Sequence, residues 1–261
     1  MTAQLVIDQY GQGFAARWDE LVDWQRRLEV EGDFLDRVVA GTSPGRALFD
    51  IACGTGFHAA HFSRSGYSVD ASDGSAEMVE RARANLAALG TGVRVERLSW
   101  EDLRPLSVPR YDAVICLGSS MPHAGAGQRR TLLRRVHDLL RVGGVLLVDH
   151  RNFDYIVDHQ QMPPGRSVYA GNVEVSLVAS DQATTSFGYR YADGFFRTLT
   201  VESLRFDQIR EELRGAGFGR IDSFGDQRPR SSADDSGFFL HRAVRTAPDA
   251  PPAHDEEAVQ P

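Results

Sequence analysis

Two acids and two glycines carry the clearest chemical signal in this 261-residue chain: Asp50-Ile51-Ala52-Cys53-Gly54-Thr55-Gly56, followed by Asp73. Glycines let the backbone turn sharply and let a ligand approach the main chain with no Cβ in the way. Asp73 stands just past the next strand-like run, where a carboxylate can accept hydrogen bonds from both hydroxyls of a ribose. Asp70 is a rival for that role, and a helix N-cap is the structural alternative for Asp73. The glycine spacing is tighter than that of the dinucleotide fingerprint, and taken alone it would serve a plain strand-to-helix turn equally well.

A second group lies at two further strand ends, Gly118-Ser119-Ser120-Met121-Pro122-His123 and Asp149-His150-Arg151-Asn152. In open α/β sheets ligands bind in the crevice beyond the carboxyl ends of the strands. A guanidinium at Arg151 can grip a carboxylate through two parallel hydrogen bonds, and an ion pair with Asp149 or Asp154 is its bland alternative. His123 reads equally as a satisfied loop histidine. Ser119 and His123 have only proximity in sequence to suggest nucleophilic catalysis, and no His, Cys or carboxylate cluster has metal-ligand spacing, so no metal is expected.

The elements that must position these residues follow from periodicity. Tyr10 to Ala40 carries apolar residues three, four and seven apart and reads as a helical arm, broken by GTSPG at 41–45. Strand-like runs at 47–52, 67–71, 93–98, 111–117 and 144–149 alternate with helical patterns at 58–65, 75–89 and 129–140, with a tight turn at Val142-Gly143. That alternation predicts a Rossmann-like, doubly wound, mostly parallel sheet of seven strands. β-like stretches at 168–178 and 186–199, with a turn at Ala192-Asp193-Gly194, predict a small antiparallel insertion. A helix at 203–215 and strands at 218–224 and 237–243 complete the core. The expected organisation is an arm over residues 1–42, a cofactor-binding core over 43–152, an antiparallel lid over 153–202, a return to the core over 203–245 and a disordered tail over 246–261.

Composition narrows the function. Net charge is −7, and all 29 basic residues are arginines, which argues against nucleic acid as a partner and excludes lysine-amine chemistry. No apolar run is long enough to span a membrane, and the N-terminus lacks signal-peptide features. Cys53 and Cys116 have no framework spacing. A cytoplasmic enzyme acting on a small molecule is the expectation, with the helical arm as a device for homo-oligomerisation.

The glycine turn and its acids resemble those of class I S-adenosylmethionine-dependent methyltransferases. The segments FAARWDELVDW, DIACGTGFHAAHF, SDGSAEM, ICLGSSMPH and VDHRNFDYIVDH are similar to their counterparts in glycine and sarcosine N-methyltransferases. The resemblance implies S-adenosylmethionine as cofactor, with Ala52, Gly54 and Gly56 along its methionine part, Asp73 on the ribose, Ser99 and Trp100 at adenine, and Leu117 in contact. It implies that Tyr10, Trp18 and Arg27 close over the cofactor, with Arg26 an alternative to Arg27; core packing is the alternative for the tryptophans, and a solvated face for the arginines. On the substrate side it implies Arg151, His123, Ser119, Tyr169 and Tyr189. The implied activity is N-methylation of glycine, sarcosine or a closely related small amino acid. Tailoring of a specialised metabolite at nitrogen or oxygen, and cyclisation of the cofactor's own aminobutyryl chain, are the alternatives. Two departures stand out: the resembling enzymes carry Asn where this chain has Ser119, and Phe195 to Leu204 lacks tyrosines they place near the substrate. An acceptor larger than glycine, or a different amine, is the expectation these raise.

Overall fold

The computed structural model describes residues 9–11, 13–39, 45–104, 108–164, 172–226, 228–229 and 236–247. The arm is helical but broken. A 3-10 turn at Ala15–Arg17 leads into α1 (Trp18–Leu21), the chain extends at Val22, and α2 (Trp24–Val39) starts afresh. The continuous pattern expected from Tyr10 to Ala40 hides this break. Its cause is Asp23, whose carboxylate accepts the Arg26 amide at 3.0 Å and caps the new helix.

The core follows as β1 (Ala47–Asp50), α3 (Phe57–Arg64), β2 (Ser68–Asp73), α4 (Ala76–Ala88), β3 (Arg94–Arg97), β4 (Tyr111–Cys116), α5 (Ala126–Leu139) and β5 (Leu140–Arg151). A short α6 (Phe153–His159) leads to the antiparallel strands β6 (Glu174–Ser180), β7 (Thr184–Arg190) and β8 (Phe196–Glu202). Helix α7 (Phe206–Gly215), β9 (Phe218–Gly225), the two-residue β10 (Arg228–Pro229) and β11 (Phe238–Arg245) close the described chain.

The main sheet runs β3-β2-β1-β4-β5-β11-β9-β10, so the expected seven strands are present with β10 added at the edge. Strands β1 to β5 pair in parallel, and β11 lies antiparallel between β5 and β9. Strand order reverses between β1 and β4, which places a crevice at their carboxyl ends. Alternate residues face opposite layers. Ala113 and Ile115 of β4 pack with α2, α3 and α4, whereas Val114 and Cys116 pack with α5, α7 and the three-stranded sheet.

Helix α5 passes directly into β5 at Leu140, two residues ahead of the turn expected at Val142-Gly143, and Gly143 absorbs that turn inside the strand at φ +82°. The stretch expected to be β-like from Val168 falls partly on residues outside those described; β6 begins at Glu174. No helix among the described residues is long and apolar enough to cross a membrane.

Candidate active site

A cavity of about 360 Å³ opens at the crevice between β1 and β4, within the roughly 300–1,000 Å³ usual for small-molecule sites. Its floor is the turn Ala52 to Thr55 together with Asp73. The Asp73 carboxylate accepts the Gly54 amide at 3.0 Å and the Ser75 amide at 2.9 Å, tying the glycine turn to the end of β2. The helix cap is Ser75, not Asp73. Asp70 is excluded from this site: its carboxylate takes Arg110 and the Tyr111 hydroxyl, each at 2.9 Å, away from the cavity.

The cavity fits a ligand that comes close to main chain. Gly54 and Gly118 both line it with positive φ, +53° and +83°, and nothing stands within 4 Å of where a Cβ on either would project. Gly56, expected on the cofactor, is not among the lining residues. At φ +99° it caps α3, and a Cβ there would meet the Leu86 side chain at 3.2 Å, so its role is the turn itself. Beneath the turn Asp50 is buried; one carboxylate oxygen accepts the Ala52 amide at 3.3 Å and the other has no hydrogen-bond partner among the described residues. Burial, with the Asp73 charge adding to it, pushes the Asp50 carboxyl up to about 8.

The walls are Ser99 and Trp100 on one side and Leu117, Gly118 and His123 on the other. The Trp100 indole is pinned by its N–H, which donates to the Ile51 carbonyl at 2.7 Å. Tyr10, Trp18 and Arg27 from the arm roof the cavity. Arg27 is buried while Arg26 is exposed, which removes the solvated-face reading of Arg27 and the Arg26 alternative together. Arg27 donates to Glu31 at 2.5 Å and lies 3.2 Å from His58. Burial works to raise the Glu31 carboxyl, but Arg27 and His58 outweigh it and hold it down at about 2.

Behind His123 a second, smaller cavity of about 20 Å³ shares Tyr10, Trp18, Gly118 and His123 with the first and adds Ser119, Arg151 and Tyr189. Phe187, Leu199 and Val201 complete its walls. The structure therefore brings Ser119, His123, Arg151 and Tyr189 together; Tyr169 lies outside the described residues. The Arg151 guanidinium is sandwiched between Phe187 and Phe238, 4.6 and 5.0 Å from the ring centres, and hydrogen-bonds the Tyr189 hydroxyl. The two carboxylates weighed as its partners have other engagements. Asp149 accepts the Ser119 amide at 2.6 Å, and Asp154 accepts the Phe206 amide at 2.9 Å and Arg205 at 3.4 Å.

His123 meets the Tyr10 hydroxyl through Nε2 at 2.8 Å, and burial pushes its ring down to about 4, so it is uncharged near neutrality. Ser119 Oγ receives the Arg151 amide at 3.4 Å and makes no triad with His123. Tyr10 and Trp18, their rings edge-on at 5.5 Å, line both cavities and form the partition between them, with Tyr189 tilted against Trp18 at 6.3 Å on the side of the smaller.

Phe187, Leu199, Val201 and His58 are among the wall residues that the sequence did not reveal. Phe187 shares a strand face with Tyr189, and Leu199 one with Val201, by the two-residue period, so that signal was available. His58 sits in the first turn of the helix that leaves the glycine loop, a position that aims a side chain at the loop.

A switch-point cavity with a glycine floor, an acid at the end of β2 and an aromatic roof is accompanied by a match of residues 48–144 to a methyltransferase domain family. The molecule is an S-adenosylmethionine-dependent methyltransferase. Its fold is shared with a solved S-adenosylmethionine-dependent methyltransferase from Clostridium acetobutylicum, at TM-score 0.68 and 17% identity over 90% of this chain and 98% of that one. Glycine/sarcosine N-methyltransferase of Halorhodospira halochloris is 36% identical over 91% of this chain and 89% of its own length. The enzyme of the same description from Parasynechococcus marenigrum is 35% identical over 91% of this chain and 84% of its own. The chain belongs to the glycine/sarcosine N-methyltransferase family.

Proposed function

We propose that this enzyme methylates the nitrogen of glycine or sarcosine, holding the cofactor in the large cavity and the acceptor in the small one. The observation that carries this reading is the pair of joined cavities with Arg151 on the wall of the smaller. Phe187, Leu199 and Val201 leave no room beside Arg151 for the larger acceptor that Ser119 raised as an expectation; at about 20 Å³, the room of roughly one water, these walls must part even for glycine. When bound, S-adenosylmethionine supplies an electrophilic methyl group. Ala52, Gly54 and Asp73 would hold its methionine and ribose parts, Ser99 and Trp100 its adenine, with Leu117 alongside and Tyr10, Trp18 and Arg27 above.

The residues then contribute by placement. Arg151 grips the acceptor carboxylate in a forked pair and thereby points the nitrogen toward the partition. Ser119 and Tyr189 border the same space. A neutral His123 adds no like charge against a cationic sulfur, and the surrounding ring faces favour one. Purified protein incubated with S-adenosylmethionine and glycine, sarcosine or dimethylglycine is expected to release S-adenosylhomocysteine with glycine or sarcosine. Release no greater than in the control without acceptor would overturn the reading, and methylthioadenosine formed without any acceptor would replace it with cyclisation.

A further inference from the structure

A chain of polar groups, half-buried at one end and fully buried at the other, runs from helix α7 to the backbone of Arg151. Arg210 Nη1 on α7 donates to Ser223 Oγ at 2.7 Å, and Ser223 meets His241 Nδ1 at 2.8 Å. His241 Nε2 lies 2.9 Å from His150 Nε2, and His150 Nδ1 lies 2.7 Å from the Arg151 carbonyl oxygen. Both histidines are fully buried, and Phe153, Phe206 and Phe239 pack around them. Sheet register brings the links together: Ser223 pairs with His241, and His150 stands diagonally across from it, opposite Phe239.

The hydrogens in this chain have one consistent arrangement. A carbonyl oxygen only accepts, so His150 Nδ1 carries the proton and donates to Arg151. Neutral His150 then offers a bare Nε2, so His241 must donate from its own Nε2 and leave Nδ1 bare. The Ser223 hydroxyl donates to that nitrogen, and its oxygen takes the Arg210 proton. With both rings neutral this is the one arrangement in which every contact has a donor and an acceptor. Burial pushes His150 down to about 4, and burial, His150 and Arg210 push His241 down as well, in keeping with two neutral rings.

We infer that His241 and His150 are positioning residues for the acceptor site, a tautomer-locked pair that fixes the Arg151 backbone so that its guanidinium meets the acceptor carboxylate; this rests on the proposed role of Arg151. The Arg151 carbonyl is the last of β5, where the chain leaves the sheet. On the far side of that peptide, Asn152 caps α6 by accepting the Tyr155 amide at 2.9 Å, and its backbone amide donates to Gly237 at 3.1 Å. A long side chain aimed from such an edge inherits any backbone play, and displacement of a binding group by about 1 Å can cost two orders of magnitude in rate. Apolar residues could have filled this layer at no loss of stability, because replacing both partners of a buried hydrogen bond by apolar groups is nearly neutral. The directional chain is explained by what it ends on.

The test compares His241→Phe, His241→Gln, Ser223→Ala and Arg151→Ala, with the histidine tautomers of the ligand-free protein read by nitrogen-15 NMR. His241→Phe keeps the ring but not the donor, and the KM for the amino-acid acceptor is expected to rise about tenfold, with cofactor affinity within about twofold by calorimetry. His241→Gln returns a donor at the same reach and is expected to restore KM. The spectra should show protons on His150 Nδ1 and His241 Nε2. Should His241→Phe fail to fold, Ser223→Ala at the outer end must raise the same KM. Equal KM values for Phe and Gln at position 241, an unchanged KM in the Ser223 variant, or the opposite tautomers would each overturn the inference. If Arg151→Ala alone raises KM, only the positioning chain fails; if Arg151→Ala leaves KM unchanged, the reading of the site fails with it.

Discussion

Arg151 is the residue on which acceptor recognition turns, and its surroundings set the size of the effect. It is buried, flanked by two phenylalanine rings and joined to Tyr189, on the wall of the small cavity and not the large one. Hydrogen bonds to a charged group contribute about 1.5–3 kcal/mol, so Arg151→Ala should raise KM for glycine or sarcosine by roughly ten- to a hundredfold. Cofactor affinity should hold, which calorimetry of the same variant would check, and an unchanged KM would remove Arg151 from the carboxylate. Arg151→Lys keeps the charge and loses the fork, so it should fall between the two. Ser119 poses a different question. It is one of few non-glycine residues with positive φ, at +59°, a conformation that asparagine adopts more readily than serine. Ser119→Asn, which restores the residue of the resembling enzymes, is therefore expected to leave thermal stability equal or higher, and a drop of several degrees in Tm would show that its pocket rejects the larger side chain. Gly54 and Asp73 were legible as cavity residues because the turn and the end of the next strand place them at fixed positions, whereas Trp100 was legible only through the family resemblance. Gly56 lies outside the cavity lining and carries the positive φ of the turn, a requirement that spacing cannot separate from ligand contact.

The alternation of strands and helices was legible for a physical reason: the change of apolar period from two to between three and four is repeated along the core and needs no tertiary knowledge. The break in the arm was not, because the apolar residues keep their helical spacing across Val22 and Asp23 while the backbone restarts. The signal lay in a single acid in front of Trp24. Its consequence reaches the site, because Arg27 rides on the first turn of α2, lines the large cavity and pairs with Glu31 one turn later. Asp23→Ala removes one cap, about 1 kcal/mol of helix stability. Because the freed turn carries part of the cavity roof, cofactor affinity should fall along with Tm. Unchanged cofactor affinity in the Asp23 variant would detach the α2 cap from the site. The arm is also laced to both other parts of the molecule, through Asp19 to Arg81 and Asn85 of α4 and through Arg17 to Asp193 at the β7–β8 turn. None of these pairings is encoded in local sequence, since each joins residues far apart in the chain.

At the scale of the whole molecule, two sets of buried groups oppose each other as pH changes. His58, His123 and His150 are each pushed down to about 4, and His241 is pushed well below its ordinary value, by burial first of all. Their folded values lie below the ordinary value near 6.5, so the unfolded chain binds protons the folded one refuses, and stability is lost as pH falls from about 6.5 toward 4. Asp149, raised to about 6, and Asp50, raised to about 8, work the other way. A raised carboxyl contributes stability that is fully present below its unfolded value and is lost as pH climbs through its folded one. The histidines become neutral in both states only above about pH 7, where Asp149 is mostly ionised, and Asp50, with Asp73 also raised by burial, then sets the falling slope toward pH 8. One proton corresponds to about 1.4 kcal/mol per pH unit, so the ligand-free protein should show a stability maximum near pH 7, where the four histidines and Asp50 balance, and a falling alkaline limb beyond it. Asp50→Asn, which has no proton to lose, should flatten that limb and leave the acid one in place, measured by denaturant unfolding at half-unit steps. A cation bound above the glycine turn favours the charged carboxylate, so saturating S-adenosylmethionine should shrink the same limb in the unsubstituted enzyme. An alkaline limb that survives Asp50→Asn would place the titrating group elsewhere and leave the buried acid beneath the turn as a structural residue alone.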